Sequence, residues 1–394
     1  MKKKLLFVIP SLEAGGGEKS LVNLLNCIDY NLYEVDLVLF SSTGLFLKQV
    51  PSEVTLLDLG NEYACFTKSI SSSFVAFLKQ GKIKLAVARL LYSLKINAIK
   101  NKGIAEQYAW RYLQKSISLL PSVYDVAIGF LEKSSIYFVV DCVNAKNKIG
   151  FIHNDYDQLD LEKNFDLPYF KKLTTIATVS DQCAEVLKVN FPTEQNKVVV
   201  IKNIVSTALI HKLANDAVSI DTTKPILLSV GRLHQQKGFD FAIEAAAILK
   251  EKNISYKWYI IGEGAEREAL ESAIINNNLQ DFFILLGLKE NPYPYIKAAT
   301  ICVQTSRYEG KSIAIDEAKI LCKPILVTNF TTAKDQITNE QTGLIVNINP
   351  EAIADGIITL LTDVAFRTTL IANLKRQDFG TESEIDKLYK LFTT

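Results

Sequence analysis

Short apolar runs rich in β-branched residues recur along the chain, separated by longer segments whose apolar positions return with a helical period. This alternation predicts a parallel sheet covered by helices. The expected strands of a first series are Leu5–Ile9, Val35–Phe40, Val54–Leu57, Val126–Phe130, Lys148–Ile152, Thr175–Val179 and Val198–Ile201. A second series begins at Ile226–Val230 and continues through Lys257–Ile261, Phe283–Leu286, Ile301–Gln304, Pro324–Thr328 and Gly343–Val346. Because the pattern starts over, two similar α/β domains are expected, spanning residues 1–205 and 225–375. Ser206–Lys224 lacks a strand run and closes in polar residues before Pro225, so residues 206–224 read as an interdomain linker. From Glu351 onward the apolar spacing is helical, and residues 376–394 are expected to form a last helix that crosses back to the first domain.

At 394 residues and roughly 100–200 residues per domain, two or three compact units are expected. Hydrophobic residues make up 48% and charged residues 22%, which rules out wholesale disorder and fibrous repeats. Forty-four basic side chains against forty-three acidic ones leave no global field to draw the protein to nucleic acid. The six cysteines (27, 65, 142, 183, 302 and 322) form no CxxC pair and no zinc spacing, so free thiols in a cytoplasmic protein are expected. The start, Met1-Lys2-Lys3-Lys4 before Leu5–Ile9, is cut short by Pro10 and Gly15–Gly17 and reads as a first strand rather than a signal peptide. No stretch reaches the ~18 uninterrupted apolar residues that a spanning helix needs.

One region departs from this even composition. Between Cys65 and Leu120 there are ten Lys or Arg and one acid, Glu106, interleaved with apolar residues such as Phe74, Leu85, Leu90 and Leu94. Basic amphipathic helices follow from that pattern. Two readings stand side by side: a solvated helix pair whose apolar face packs on the first domain, or docking on an anionic membrane surface, which would place the protein on the inner face of the plasma membrane.

Candidate chemistry clusters where strands turn into helices. Leu5–Ile9 runs into Gly15-Gly16-Gly17-Glu18 and then a helix. Glycines let the backbone approach a ligand, and the N–H groups of a helix start favour an anion such as phosphate, although a tight turn needs glycine for steric reasons alone. Ile226–Val230 leads into Gly231-Arg232-Leu233-His234-Gln235-Gln236-Lys237-Gly238, where two cations at the carboxyl end of a strand suit a diphosphate. After Ile301–Gln304 come Glu309-Gly310-Lys311-Ser312-Ile313 and then Glu317, with seven residues between the two acids. A helix starting near Ser312 would leave Glu309 in the loop and Glu317 more than a turn inside. One carboxylate would then accept from sugar hydroxyls and the other from a ribose diol, with the N–H groups of Gly310–Ile313 facing phosphate or hexose oxygens. Asp155-Tyr156-Asp157 is a DxD, a pair that can hold Mg²⁺ or Mn²⁺, but is read here as an acidic cluster at a helix start.

Taken together, GGGE after the first strand, GRLxxxKGFD opening the second domain, Gly262-Glu263-Gly264 after Lys257–Ile261, and EGKSIAIDEA resemble the retaining glycosyltransferases of family 4. The resemblance spans nearly the whole chain. It implies a GT-B fold, in which two Rossmann-like doubly wound domains face each other across a cleft. It also implies that Arg232 and Lys237 bind the donor diphosphate, Glu317 the ribose and Glu309 the transferred sugar. Gly16, Gly17, Gly231, Gly262, Gly264, Gly310, Lys311, Ser312 and Ile313 would line the donor. His153, in Ile152-His153-Asn154, matches the position where this family holds a histidine beside the donor sugar; a satisfied polar residue at a strand end is the other reading. His211 and His234 have weaker claims. The family usually has an aromatic residue after Glu-Gly, where this chain has Lys311, so the pocket beside the sugar differs.

The activity implied is metal-independent, retaining transfer of a hexose from a nucleotide-diphosphate sugar, UDP-linked by expectation, to a glycan or polyprenyl-linked acceptor in surface polysaccharide assembly. No cofactor is expected. Two alternatives remain at this level: a nucleotide-sugar 2-epimerase, which shares the architecture, and a non-catalytic partner subunit of another transferase.

Overall fold

The computed structural model describes residues 2–13, 15–218 and 220–393. Among these, thirteen strands form two sheets in which neighbouring strands are parallel. The first sheet holds β1 (Lys3–Ile9), β2 (Tyr33–Leu39), β3 (Val54–Leu57), β4 (Val123–Gly129), β5 (Asn144–Ile152), β6 (Thr175–Thr178) and β7 (Val198–Val200) in the order β3-β2-β1-β4-β5-β6-β7. The second holds β8 (Ile226–Val230), β9 (Lys257–Ile261), β10 (Phe283–Leu285), β11 (Ile301–Gln304), β12 (Ile325–Thr328) and β13 (Leu344–Val346) in the order β10-β9-β8-β11-β12-β13. Every strand expected from the apolar runs is present. The central strands carry near-continuous buried stretches, Leu5–Ile9 and Ile226–Ser229 among them, because helices cover both faces of each sheet.

By contact density the chain divides into two compact units. One comprises Met1–Glu13, Leu24–Lys202 and Ile385–Thr394; the other comprises Ala14–Asn23 and Asn203–Glu384. The last helix, Glu384–Thr393, packs in the first unit, where Tyr389 stacks on Tyr33 with ring centroids 5.1 Å apart and Lys3 Nζ donates to the Phe392 carbonyl at 2.8 Å. The segment 206–224 contains a short helix, Thr207–Leu213, capped by Ser206.

In the first unit the crossover from β3 to β4 is enlarged by four helices, numbered after α1 (Gly16–Cys27): α2 (Gly60–Phe66), α3 (Ile70–Lys79), α4 (Ile83–Ala98) and α5 (Lys102–Leu113). They enclose a small core of Phe66, Phe77, Leu85, Ala86 and Ala88. This differs from a helix pair with one apolar face turned inward. Arg89 is the inward residue, donating to the Lys68 carbonyl at 2.9 Å and to Ser93, with its guanidinium over the Phe66 and Tyr92 rings. Leu90, Leu91 and Leu94 are left outside. The small side chains Ala86 and Ala88 let the helix approach closely on that side, and a guanidinium with carbonyl, hydroxyl and ring partners can be buried.

Candidate active site

In the second unit the chain moves outward from β8 to β9 and β10, then returns to pair β11 with the other side of β8. The helix after β8, Phe239–Glu251, packs into the core on one face, and the helix after β11, Ile313–Ile320, into the core on the other. Loops that part in this way open a crevice at the carboxyl ends of the strands, the usual ligand position in a doubly wound sheet.

The loops bordering that point are tied together by backbone. Leu233 N–H donates to the Glu263 carbonyl at 2.9 Å, and Arg307 N–H to the Gln236 carbonyl at 2.8 Å. Gly262 lies so close to the β8 loop that a Cβ there would stand 1.8 Å from the Gly231 carbonyl oxygen, and one on Gly264 would meet the Leu233 oxygen at 2.2 Å. Gly238 combines a φ of +64° with an approach of 2.2 Å to the Thr305 oxygen. No side chain fits at these three positions. Arg307 forks onto Asp240 (Nη1 to Oδ1 at 2.8 Å, Nη2 to Oδ2 at 2.5 Å) and lies 4.1 Å from the Phe241 ring centroid, fastening the β11 loop to the helix after β8.

Within this frame Lys237 Nζ meets Glu309 Oε1 at 2.6 Å. The same oxygen accepts from Ser306 Oγ at 2.7 Å and Gln304 Nε2 at 3.1 Å, while Oε2 has a long contact of 3.5 Å with Gln236 Nε2. Glu309 is 5% exposed, a buried carboxylate with three good donors on one oxygen. Lys237 keeps two further N–H donors for another partner. Arg232 is the open cation of the group: its side chain is 52% exposed and stands 3.6 Å from Glu18, so the GGGE segment and the Arg232 loop meet.

The next helix, Ile313–Ile320, starts after Ser312, whose hydroxyl donates to Gln304 Oε1 at 2.7 Å, and this leaves Glu309 in the loop and Glu317 inside the second turn. Glu317 is almost wholly buried and pairs with Lys19 of α1, whose ammonium lies 4.6 Å from the Tyr293 ring centroid. Burial alone would lower the Lys19 pKa, but Glu317 and Tyr293 outweigh it and hold the ammonium well above its ordinary value. The Tyr293 hydroxyl is pushed up to about 12, chiefly by burial.

Residues 212–377, which include all of these residues except the GGGE segment and Lys19, match the family described as glycosyl transferases group 1. The similarity to that family lies in the second series of strands and their helices. It is 24% identical to a Campylobacter jejuni N-acetylgalactosamine-N,N'-diacetylbacillosaminyl-diphospho-undecaprenol 4-alpha-N-acetylgalactosaminyltransferase, over 93% of this chain and 92% of that protein. An uncharacterized glycosyltransferase of Methanocaldococcus jannaschii is 28% identical over 43% of each chain. The chain therefore spans less than half of this archaeal relative. Among solved structures, Staphylococcus aureus TarM, crystallised as a point mutant with fondaparinux, alpha-GlcNAc-glycerol and UDP, superposes with a TM-score of 0.67 at 18% identity, covering 100% of both chains. The fold is GT-B.

Two expectations from the sequence change at the level of single groups. The Ser312 N–H is not open to an anion, because it donates to Gln336 Oε1 at 2.8 Å while Gln336 Nε2 returns a bond to the Ser312 carbonyl. Lys311 does not stand open beside a sugar. It is buried against Asp316 at 2.6 Å, and Lys319 holds the same carboxylate from 3.1 Å. Burial is the largest influence on Asp316 and would raise its pKa, yet the two lysines together hold it below the usual carboxylate range.

His153 belongs to the first unit, at the end of β5. Its ring stacks on Phe151 (centroids 5.5 Å apart) and packs on Phe130 (5.0 Å), and the His153 backbone N–H donates to Glu132 Oε2 at 3.2 Å. The DxD is a helix start: Asp155 accepts from the Asp157 N–H at 3.1 Å, and Tyr156 turns inward to Asp166 at 2.6 Å. Among the described residues no three His, Cys, Asp or Glu side chains gather in a way that could hold a metal ion.

The residues that fasten the candidate site were not singled out by the motifs. Lys19 had a signal, since it directly follows the GGGE run. Gln304, Ser306, Gln236 and Gln336 had none, because each is defined by what it touches across the fold.

Proposed function

We propose that the protein is a retaining, metal-independent hexosyltransferase of the family 4 type, moving a sugar from a UDP-linked donor to a glycan or lipid-linked acceptor in the assembly of surface polysaccharide. The observation that carries this reading is the Lys237–Glu309 pair at the β8–β11 switch point of a sheet within the group 1 match, with Arg232 exposed on the same loop as Lys237.

Departure of a nucleoside diphosphate builds negative charge on its phosphate oxygens, and fixed cations there lower the barrier. Arg232 is open to receive the diphosphate, and Lys237 has two donors left after Glu309. Glu309 Oε1 is occupied by three donors, which leaves Oε2 to accept from hydroxyls of the transferred sugar. The acceptor hydroxyl would lose its proton to the departing phosphate on the same face, so the protein's part is to position and neutralise. His153 is assigned to the donor-sugar side and Glu317 to the ribose. The acceptor class is supported by the Campylobacter relative, whose name includes a diphospho-undecaprenol carrier. UDP, the nucleotide named with TarM, is the donor base to test first.

The test is release of free nucleoside diphosphate from a panel of nucleotide-sugars, with and without EDTA, in the wild type, Glu309→Ala and Lys237→Ala. One donor should be hydrolysed slowly, with EDTA making no difference, and each variant should lose about 10²–10³-fold in rate. Saturable donor binding without turnover, in the presence of an acceptor panel, would replace this reading with that of a non-catalytic partner. An inverted anomeric centre in the product, read by NMR, would refute retention.

A further inference from the structure

The α4 helix is apolar on the side turned away from the protein. Ile83, Val87, Leu90, Leu91 and Leu94 are 63%, 47%, 43%, 36% and 56% exposed. Their spacing puts all five on one face of the helix, opposite the inward Leu85, Ala88, Arg89 and Ser93. Single exposed apolar residues need no explanation, but five on one stripe of one helix do.

Charge says what covers the stripe. Eight of the ten Lys and Arg between residues 65 and 120 are exposed. Lys84 and Lys95 fall at the edge of the stripe beside Leu91, by the angular step of the helix. The single acid, Glu106, is drawn off into a bridge with Lys133 at 2.6 Å, and Glu62 at the head of this insert is paired with Lys82 at 2.8 Å. The surface thus combines an apolar band with uncompensated positive charge at its margin. A protein partner would have to match both features on one rigid face, whereas an anionic bilayer supplies hydrocarbon and negative headgroups at adjacent depths. At 16 residues α4 is roughly 24 Å long, and it is held against the α2–α5 core along its inner side, so it lies on a membrane and does not cross one.

We propose that the α3–α4 helices are a docking surface for an anionic lipid bilayer, with the outer stripe of α4 entering the interface and the surrounding lysines engaging headgroups. This goes beyond the transfer reaction and does not depend on it.

The test is flotation of the full-length protein with vesicles of phosphatidylcholine alone or of phosphatidylcholine with 30% phosphatidylglycerol (about that proportion suffices to set a negative surface potential), at low and high salt. The wild type should float with the anionic vesicles and be largely released by high salt. Ile83→Ser/Leu90→Ser/Leu94→Ser and Lys84→Gln/Lys95→Gln should each weaken the partition about tenfold or more. Both should keep wild-type donor hydrolysis, since none of these residues belongs to the donor site, so a failed donor assay and a failed docking surface are told apart. Equal binding to both vesicle types, no binding to either, or vesicle binding unchanged in both variants would each overturn the proposal. So would a concentration-dependent dimer that the serine variant abolishes while vesicle binding persists, since a second copy would then cover the stripe.

Discussion

Individual side chains in the candidate site hold one another by charge. Asp316 lies between Lys311 and Lys319 with almost no exposure, and both cations would be left without their partner in Asp316→Asn. Breaking a buried pair in this way costs about 3–5 kcal/mol. Because the Asp316 carboxyl titrates lower in the folded chain than its ordinary 3.8, its stabilisation is present above that value and lost as pH falls through the folded one. Urea unfolding of wild type and Asp316→Asn should therefore differ most at neutral pH and converge below about pH 4; a gap that stays constant down to pH 3 would refute the assignment. Lys19 runs the other way, with a raised pKa, so its pairing with Glu317 persists below 10.5 and weakens only as pH climbs through a still higher folded value. At this scale the sequence was half informative. Arg232, Lys237, Glu309 and Glu317 stood out by type and spacing, whereas Gln304, Ser306 and Gln336 are ordinary polar residues until the fold brings them to Glu309 and Ser312.

Elements decide how closely the loops can approach. The β8 and β9 loops touch through Gly262, where a Cβ would overlap the Gly231 oxygen at 1.8 Å. Gly262→Ala must push the two loops apart, and a displacement of an ångström at the site is enough to cost about 10²-fold in rate. The expected result is a folded protein with weakened donor binding by calorimetry, and unaltered affinity would show that the loops can shift without consequence. The elements were the most legible level. All thirteen strands were marked by their apolar runs, because a strand buried on both faces tolerates little else. The α2–α5 insert was less so. Its basic character was plain, but Arg89 is buried among Phe66, Tyr92 and the Lys68 carbonyl, and Leu90, Leu91 and Leu94 face outward. Both faces of α4 carry apolar residues, and periodicity alone does not say which one finds a partner.

At the scale of the whole molecule, each unit contains one of the two tryptophans, Trp110 in the first and Trp258 in the second, both buried. In Trp110→Phe, fluorescence follows the second unit alone. If that unit holds the donor, UDP at a hundred times its dissociation constant should stabilise its unfolding transition by about 2.7 kcal/mol, with or without EDTA. A transition that UDP does not move at saturating concentration would remove the nucleotide site from this unit. The contact pattern also assigns Ala14–Asn23 to the unit of the β8 and β11 loops and Ile385–Thr394 to the other, divisions that cut across chain order.

The sequence by itself determined the strands, the repetition of an α/β pattern, the motif residues and the family resemblance, because burial periodicity and glycine or charge at strand ends are local and survive without coordinates. The tertiary structure decided which groups those residues face. Glu309 with Lys237, Glu317 with Lys19, Asp316 with two lysines and the outward stripe of α4 all depend on pairs or faces distant in the chain or alike in composition. Their energies come from desolvation and geometry that only the folded chain defines.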